Sequence, residues 1–331
     1  MRIDRFLLDS QVLRGNALGD PATREVIVVA PPAAASEDRP LPVLYLLAGY
    51  AGLGASFLNR ACFEEAIDQR LARLFAGGCP HALVVLPDCS TKYGGSQYVD
   101  STALGRYAEH LVREVVPAID ARYPTRARAD GRAVLGKSSG GFGALHLAIE
   151  HPGTFGAVAC HSGDLGFELC YPPDFPIAAS ELSSAGGVAK FLDRFFSRPK
   201  RSDREFTTIS TLAMAAAYSP DPRAEHGFEL PFDLATCDLR PDVFARWLAF
   251  DPVRRVAARA AALRALRLLF VDCGVRDEHQ LHFGARRFVR ECRSHRIAVE
   301  HEEFEDGHRG TAYRYDVSIP KVIAALAGAA A

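Results

Sequence analysis

The chain has 331 residues, of which 48% are hydrophobic and 24% charged; this suits one large α/β domain with an insertion, or two small domains, and excludes a disordered chain. Lys and Arg number 39 against 40 Asp and Glu, a formal net charge of −1, so the balance calls for neither nucleic acid nor a membrane surface as partner. Eight cysteines with no close pair among them read as free thiols rather than zinc ligands or disulfides.

In chain order, the opening MRIDRFLLDSQVLRG has no long apolar core and no small-residue cleavage site, and no stretch approaches the ~18 apolar residues of a membrane span, so a cytoplasmic protein is expected. EVIVVAPP (25–32) predicts a strand stopped by prolines, and PVLYLLAGYAG (42–52) a buried strand running into a Gly-rich loop. FLNRACFEEAIDQRLARLFAGG (57–78) has helical spacing with a Gly-Gly stop. HALVVLPD (81–88) predicts a strand, and LGRYAEHLVREVVPAIDARYP (104–124) an amphipathic helix with Tyr107, Leu111, Val115 and Ile119 on one face. RAVLG (132–136) and FGAVACHSG (155–163) predict strands, with a helix between them over 141–152. LRLLFVDCG (266–274) and IAVEHEEF (297–304) predict the last two strands, joined by a helix over 283–295; the tail VIAALAGAAA reads as the frayed end of a final helix.

Alternating apolar strands and amphipathic helices predict an α/β fold with a mostly parallel central sheet flanked by helices. Residues 164–262 break the rhythm, with short helical patterns, many prolines and the one tryptophan, Trp247. They predict a helical cap insertion, leaving 1–163 and 263–331 as the core.

GRAVLGKSSGGFG (131–143) fits two motifs. As Gly131-x4-Gly136-Lys137-Ser138 it is a phosphate loop, but that motif needs its strand before the first glycine and loop between the glycines. Here the residues between the glycines look like strand. As Gly136-Lys137-Ser138-Ser139-Gly140 it is the turn that presents a catalytic serine, with a strand before it and a helix after it, as that chemistry requires.

A serine needs a base, and the base an orienting acid, in this fold class in the order Ser, acid, His. Asp277 follows the strand 266–273, and His308 follows the strand 297–304 in the loop EDGHRG. Glu278 and Asp272 remain competitors for the acid. The oxyanion needs two N–H donors: Ser139 supplies one, and the loop AGYAG, around Tyr50 and Ala51, the other.

VLYLLAGYAG, GGSQYVDS, YAEHLVREVVPAIDARYP, RAVLGKSSGGFGAL, DCGVRDE and DGH together make the chain resemble the branch of the α/β-hydrolase superfamily that includes esterase D (S-formylglutathione hydrolase), feruloyl, acetyl-xylan and enterochelin esterases and the antigen-85 mycolyltransferases. The resemblance spans about residues 40–310 and implies an α/β-hydrolase fold. It also implies Ser138, Asp277 and His308 as the triad, with Tyr50 and Ser139 as backbone oxyanion donors. The chain departs from it at Ala48, where many relatives carry His, and at Lys137 beside the nucleophile. The formylglutathione enzymes carry a different, cysteine-bearing serine motif.

Asp164, Glu168 and Tyr171 leave a strand at the site's edge and are candidates to bind substrate, or else ordinary cap contacts. Two carboxylates there favour a substrate with hydroxyls or a cationic group. Asp277, His279 and His282 lie close in sequence, but no metal is expected, and no cofactor. Lys137 either tunes the site or lies exposed behind the turn. RFFSRPKRSDR (194–204) reads as a solvated basic surface. The expected function is a serine carboxylic-ester hydrolase acting on a small or medium acyl ester as a small-molecule substrate. The alternatives are a thioesterase or acyltransferase with the same triad, and a non-catalytic binding protein on the hydrolase fold. Oligomeric state stays open, a homo-oligomer included.

Overall fold

The computed structural model describes residues 1–32 and 40–327. Eight strands form its main sheet: β1 (Arg2–Asp9), β2 (Thr23–Ala30), β3 (Val43–Leu47), β4 (Leu83–Pro87), β5 (Arg132–Lys137), β6 (Ala157–His161), β7 (Leu268–Gly274) and β8 (Glu300–Phe304). Their order is β1-β2-β4-β3-β5-β6-β7-β8. β2 runs antiparallel to both neighbours, and every pair from β4 onward is parallel.

Side chains alternate across the sheet, as the two-residue repeat of a strand demands. Val26, Val28, Val43, Tyr45 and Leu47 face one core with α2 (107–122) and α3 (Ser139–Glu150). Ile27, Val29, Leu44 and Leu46 face the other with α1 (Ile67–Ala76) and the C-terminal helix Tyr315–Ala327. Both faces being covered explains why β3 and β4 read as unbroken apolar runs.

Three elements differ from the sequence expectation. β1 has no apolar run to announce it: it is an edge strand with mostly exposed side chains, paired along its length with β2 from Arg2↔Ala30 to Asp9↔Thr23. The helix expected over 57–78 begins only at Ile67, where Gln69 Oε1 accepts the Ala66 N–H at 3.1 Å; ahead of it lie a 3-10 turn (Gly54–Leu58), whose Phe57 and Leu58 pack on the core, and a fully exposed Phe63, so the apolar residues upstream do not share one helical face. α2 holds a π-helical stretch, His110–Val115. The last four residues of the expected frayed tail, 328–331, lie outside the described residues.

Between β6 and β7 the described residues add helices but no strand to the sheet. The main ones are α4 (Phe175–Ala185), α5 (Asp203–Tyr218) and α6 (Pro241–Leu248). Trp247 is their buried centre, its ring 5.7 Å from Phe175 and 5.6 Å from Tyr218, with its indole N–H donated to Ser219 Oγ at 2.8 Å. Fully buried Asp251 ties the chain just after α6 to the start of this region. It accepts the N–H groups of Gly166 (3.1 Å), Phe167 (2.9 Å) and Val253 (3.0 Å). Asp251→Ala strands two buried donors and a half-buried one and is expected to lower unfolding free energy by about 2–4 kcal/mol, read from urea denaturation.

Candidate active site

β5 delivers Ser138 to the start of α3 in a conformation that side-chain-bearing residues rarely adopt, φ 58 and ψ −126. Its N–H is held by the His161 carbonyl at 2.9 Å. The turn closes only because its flanks lack side chains. A Cβ on Gly136 would lie 2.6 Å from the Gly140 carbonyl, and one on Gly140 would lie 2.3 Å from the Leu47 oxygen. The phosphate-loop reading fails on the same geometry. Arg132, Ala133, Val134 and Leu135 are registered in the sheet between β3 and β6, so they form no free loop around an anion.

His308, in the loop after β8, meets Asp277, three residues beyond β7, with Nδ1 and Oδ2 2.7 Å apart. Asp277 is itself fixed: Oδ1 accepts the N–H groups of His279 (2.9 Å) and Leu281 (3.4 Å). Burial raises its pKa, but the hydrogen bond and charge of His308, with those two N–H groups, outweigh burial and hold it below the ordinary carboxyl value. The competing acids have other partners. Glu278 accepts the backbone N–H of His308 at 2.5 Å and so braces the loop. Asp272 is buried against His161 Nδ1 (2.7 Å) and Arg314 Nε (2.8 Å).

The Ser139 N–H opens α3, and that of Tyr50 lies in the loop after β3; among the described residues neither makes a backbone hydrogen bond. Tyr98 braces this second loop by donating its hydroxyl to the Ala48 carbonyl at 2.7 Å. Gly143 makes room for the Tyr98 ring, since a Cβ there would lie 2.3 Å from it. Sequence reasoning missed this brace, although Tyr98 lies in the quoted stretch GGSQYVDS.

Ser138, His308, Ser139, Tyr50, Asp164 and Tyr171 all line one cavity of about 580 Å³ between sheet and helical insertion. Asp164 Oδ2 accepts from Gln97 Nε2 (3.0 Å), Tyr171 OH (3.1 Å) and Ser139 Oγ (3.3 Å). Glu168 is the correction: it is exposed, forms an ion pair with Arg254 and does not line the cavity, because its helical turn points it to solvent. Lys137 is not free behind the turn. It is half-buried and lines the cavity; burial lowers its pKa against the raising charges of Asp277, Glu278 and Asp306. His279 also lines the cavity, its ring 4.8 Å from that of His308, whereas His282 packs on Phe283. Within the stretch 194–204, Arg194 and Arg198 pair with Glu205, and Arg204 with Glu181.

Residues 21–314 match the family model described as "Putative esterase". The chain belongs to this esterase family. Esterase Rv1288 of Mycobacterium tuberculosis is 34% identical over 139 residues, which are 42% of this chain and 28% of that protein, so the match spans under a third of the curated relative. Among solved structures, a ferulic acid esterase superposes with a TM-score of 0.63 at 19% identity, covering 98% of both chains. An S-formylglutathione hydrolase from Agrobacterium tumefaciens superposes with a TM-score of 0.59 at 16% identity, covering 98% of this chain and 95% of that one. These likenesses show the α/β-hydrolase fold.

Two stability outcomes follow for this esterase-family chain. Gly140→Ala is expected to destabilise by about 2–3 kcal/mol, because the new methyl meets backbone oxygens that cannot swing aside; thermal unfolding measures it. Asp277 has a folded pKa below its unfolded value of about 4, so its contribution to stability is complete above that pH and is lost as pH falls through the folded value. Asp277→Asn is expected to flatten that part of the acid limb in urea midpoints measured across pH 2 to about 6.

Proposed function

We propose that the chain is a serine carboxylic-ester hydrolase acting on a small or medium acyl ester. One observation carries the reading: the strained Ser138 and His308, itself hydrogen-bonded to Asp277, open onto the same cavity. No hydrogen bond joins Ser138 Oγ to His308 among the described residues, and the proposal includes the closing of that contact when substrate fills the site.

Ser138 Oγ attacks the acyl carbon while His308 Nε2 takes its proton. Asp277 holds Nδ1–H and stabilises the imidazolium. The carbonyl oxygen, now an oxyanion, receives the N–H groups of Ser139 and Tyr50, with the N-terminus of α3 adding its dipole. The alcohol leaves with the proton from His308. Water then enters, gives its proton to His308 and attacks the acyl-enzyme, and the carboxylate departs as Ser138 is reprotonated.

Intact mass after treatment with a fluorophosphonate is expected to show one adduct on wild type and none on Ser138→Ala. With p-nitrophenyl acetate, Asp277→Asn is expected to lower kcat by roughly 10³–10⁴ while leaving the fold cooperative, because it favours the wrong imidazole tautomer. Absence of a wild-type adduct, or a Ser138→Ala variant that still turns over, would overturn the reading.

A further inference from the structure

Among the described residues, the deeply buried Asp251, Asp272 and Asp277 have both carboxylate oxygens paired, whereas Asp20, away from the cavity, keeps one buried oxygen, Oδ2, without a partner. Asp251 takes three backbone N–H groups, Asp272 a histidine and an arginine, and Asp277 a histidine and two N–H groups. The cavity wall built from the helical insertion is different. Asp164 is only 8% exposed, and all three of its donors go to Oδ2. Its Oδ1, on a residue that lines the cavity, has no hydrogen-bond partner among the described residues. Half-buried Asp174 lines the same cavity, and its carboxylate forms no ion pair and no side-chain hydrogen bond among the described residues. Burial raises the pKa of both, most strongly among their causes; the Gln97 hydrogen bond and the charges of His308 and His279 oppose it at Asp164, and the charge of His279 at Asp174. Among the described residues neither forms an ion pair with a lysine or arginine, although Lys137 and Arg309 line the same cavity. Lys137, in the same cavity, feels instead the acids around the histidine loop: Asp277, Glu278 and Asp306.

Three aromatic rings complete this wall. Tyr171 and Trp247 stand 5.5 Å apart at 83°, and Phe175 and Trp247 stand 5.7 Å apart at 86°; all three residues line the cavity. Aromatic faces are negative at their centres and attract cations, most strongly where water is excluded. A carboxylate oxygen without a donor is desolvated at a cost when a neutral group covers it and gains attraction when a cation does. A neutral alkyl group would leave that cost in place.

Resting on the esterase reading, we propose that this wall is a subsite for a positively charged ammonium group of the substrate, held between Asp164 Oδ1, Asp174 and the rings of Tyr171 and Phe175, with Trp247 packed behind them. The ammonium can belong to the acyl or to the alcohol part of the ester, and matched pairs separate the two. For the acyl part, p-nitrophenyl 6-aminohexanoate is compared with p-nitrophenyl heptanoate. For the alcohol part, acetylcholine is compared with 3,3-dimethylbutyl acetate. In one pair the cationic ester is expected to show a kcat/KM roughly tenfold or more above its neutral match. Asp174→Asn is expected to pull that ratio towards one, and Asp174→Glu to restore much of it.

A second readout needs no turnover: calorimetric binding of n-butylammonium and of n-butanol to Ser138→Ala. Tighter binding of the ammonium, weakened by Asp174→Asn, supports the subsite even if every ester chosen is a poor substrate. Neutral esters hydrolysed as well as their cationic matches, with no preference for the ammonium in calorimetry, would overturn the subsite and leave the esterase reading standing. A missing fluorophosphonate adduct would overturn the esterase reading, and calorimetry would still decide the subsite.

Discussion

A serine held at φ 58 between a strand and a helix is the constraint around which the neighbouring chain is arranged. The turn can be that sharp only where backbone meets backbone, which fixes Gly136 and Gly140 and brings the carbonyl end of β3 close to the start of α3. The loop after β3 must then be held from its far side, and Tyr98 holds it through the Ala48 carbonyl. Tyr98 in turn fits only because α3 carries Gly143 where other helices would carry a side chain. One strained residue thus accounts for three glycines and a tyrosine on three separate segments.

The fold contains a second Ser–His–Asp set. His161 joins Asp272 at 2.7 Å and Ser318 at 2.8 Å, and Arg314 adds a charge to Asp272. By residue type and contact it mimics a catalytic triad, yet its serine lies within the C-terminal helix, all three members are buried, and none lines the cavity. Its place is structural: it ties β6, β7 and the C-terminal helix, and the backbone carbonyl of the same His161 anchors the N–H of Ser138. What separates the two sets is access and backbone strain, since a hydroxyl without room for an acyl carbon cannot act as a nucleophile.

The strands and helices that bury a continuous face were legible in the sequence, because apolar spacing reports burial directly. β1 was not, because an edge strand needs no apolar run, and the start of α1 was not, because spacing does not say whether a partner surface exists. The serine turn and the positions of Asp277 and His308 were legible because glycines mark the turn and each of the other two follows a strand that the sequence predicts. Tyr98, Gln97 and His279 reach the site from loops whose course depends on the whole sheet, and local pattern does not encode it. Glu168 shows the converse: it is close to Asp164 in sequence, yet its helical turn directs it to Arg254 and solvent.

Asp251 binds Gly166 and Phe167 at the entrance of the long helical insertion while standing at its exit. The stretch between them therefore starts and ends at nearly the same place, before the chain crosses back to the start of β7, which runs parallel to β6. A segment pinned at its base in this way can be rewritten between the pins without displacing the strands on either side. Its inner wall is then a replaceable part, and substrate preference can change through the insertion while the chemistry beneath it stays still.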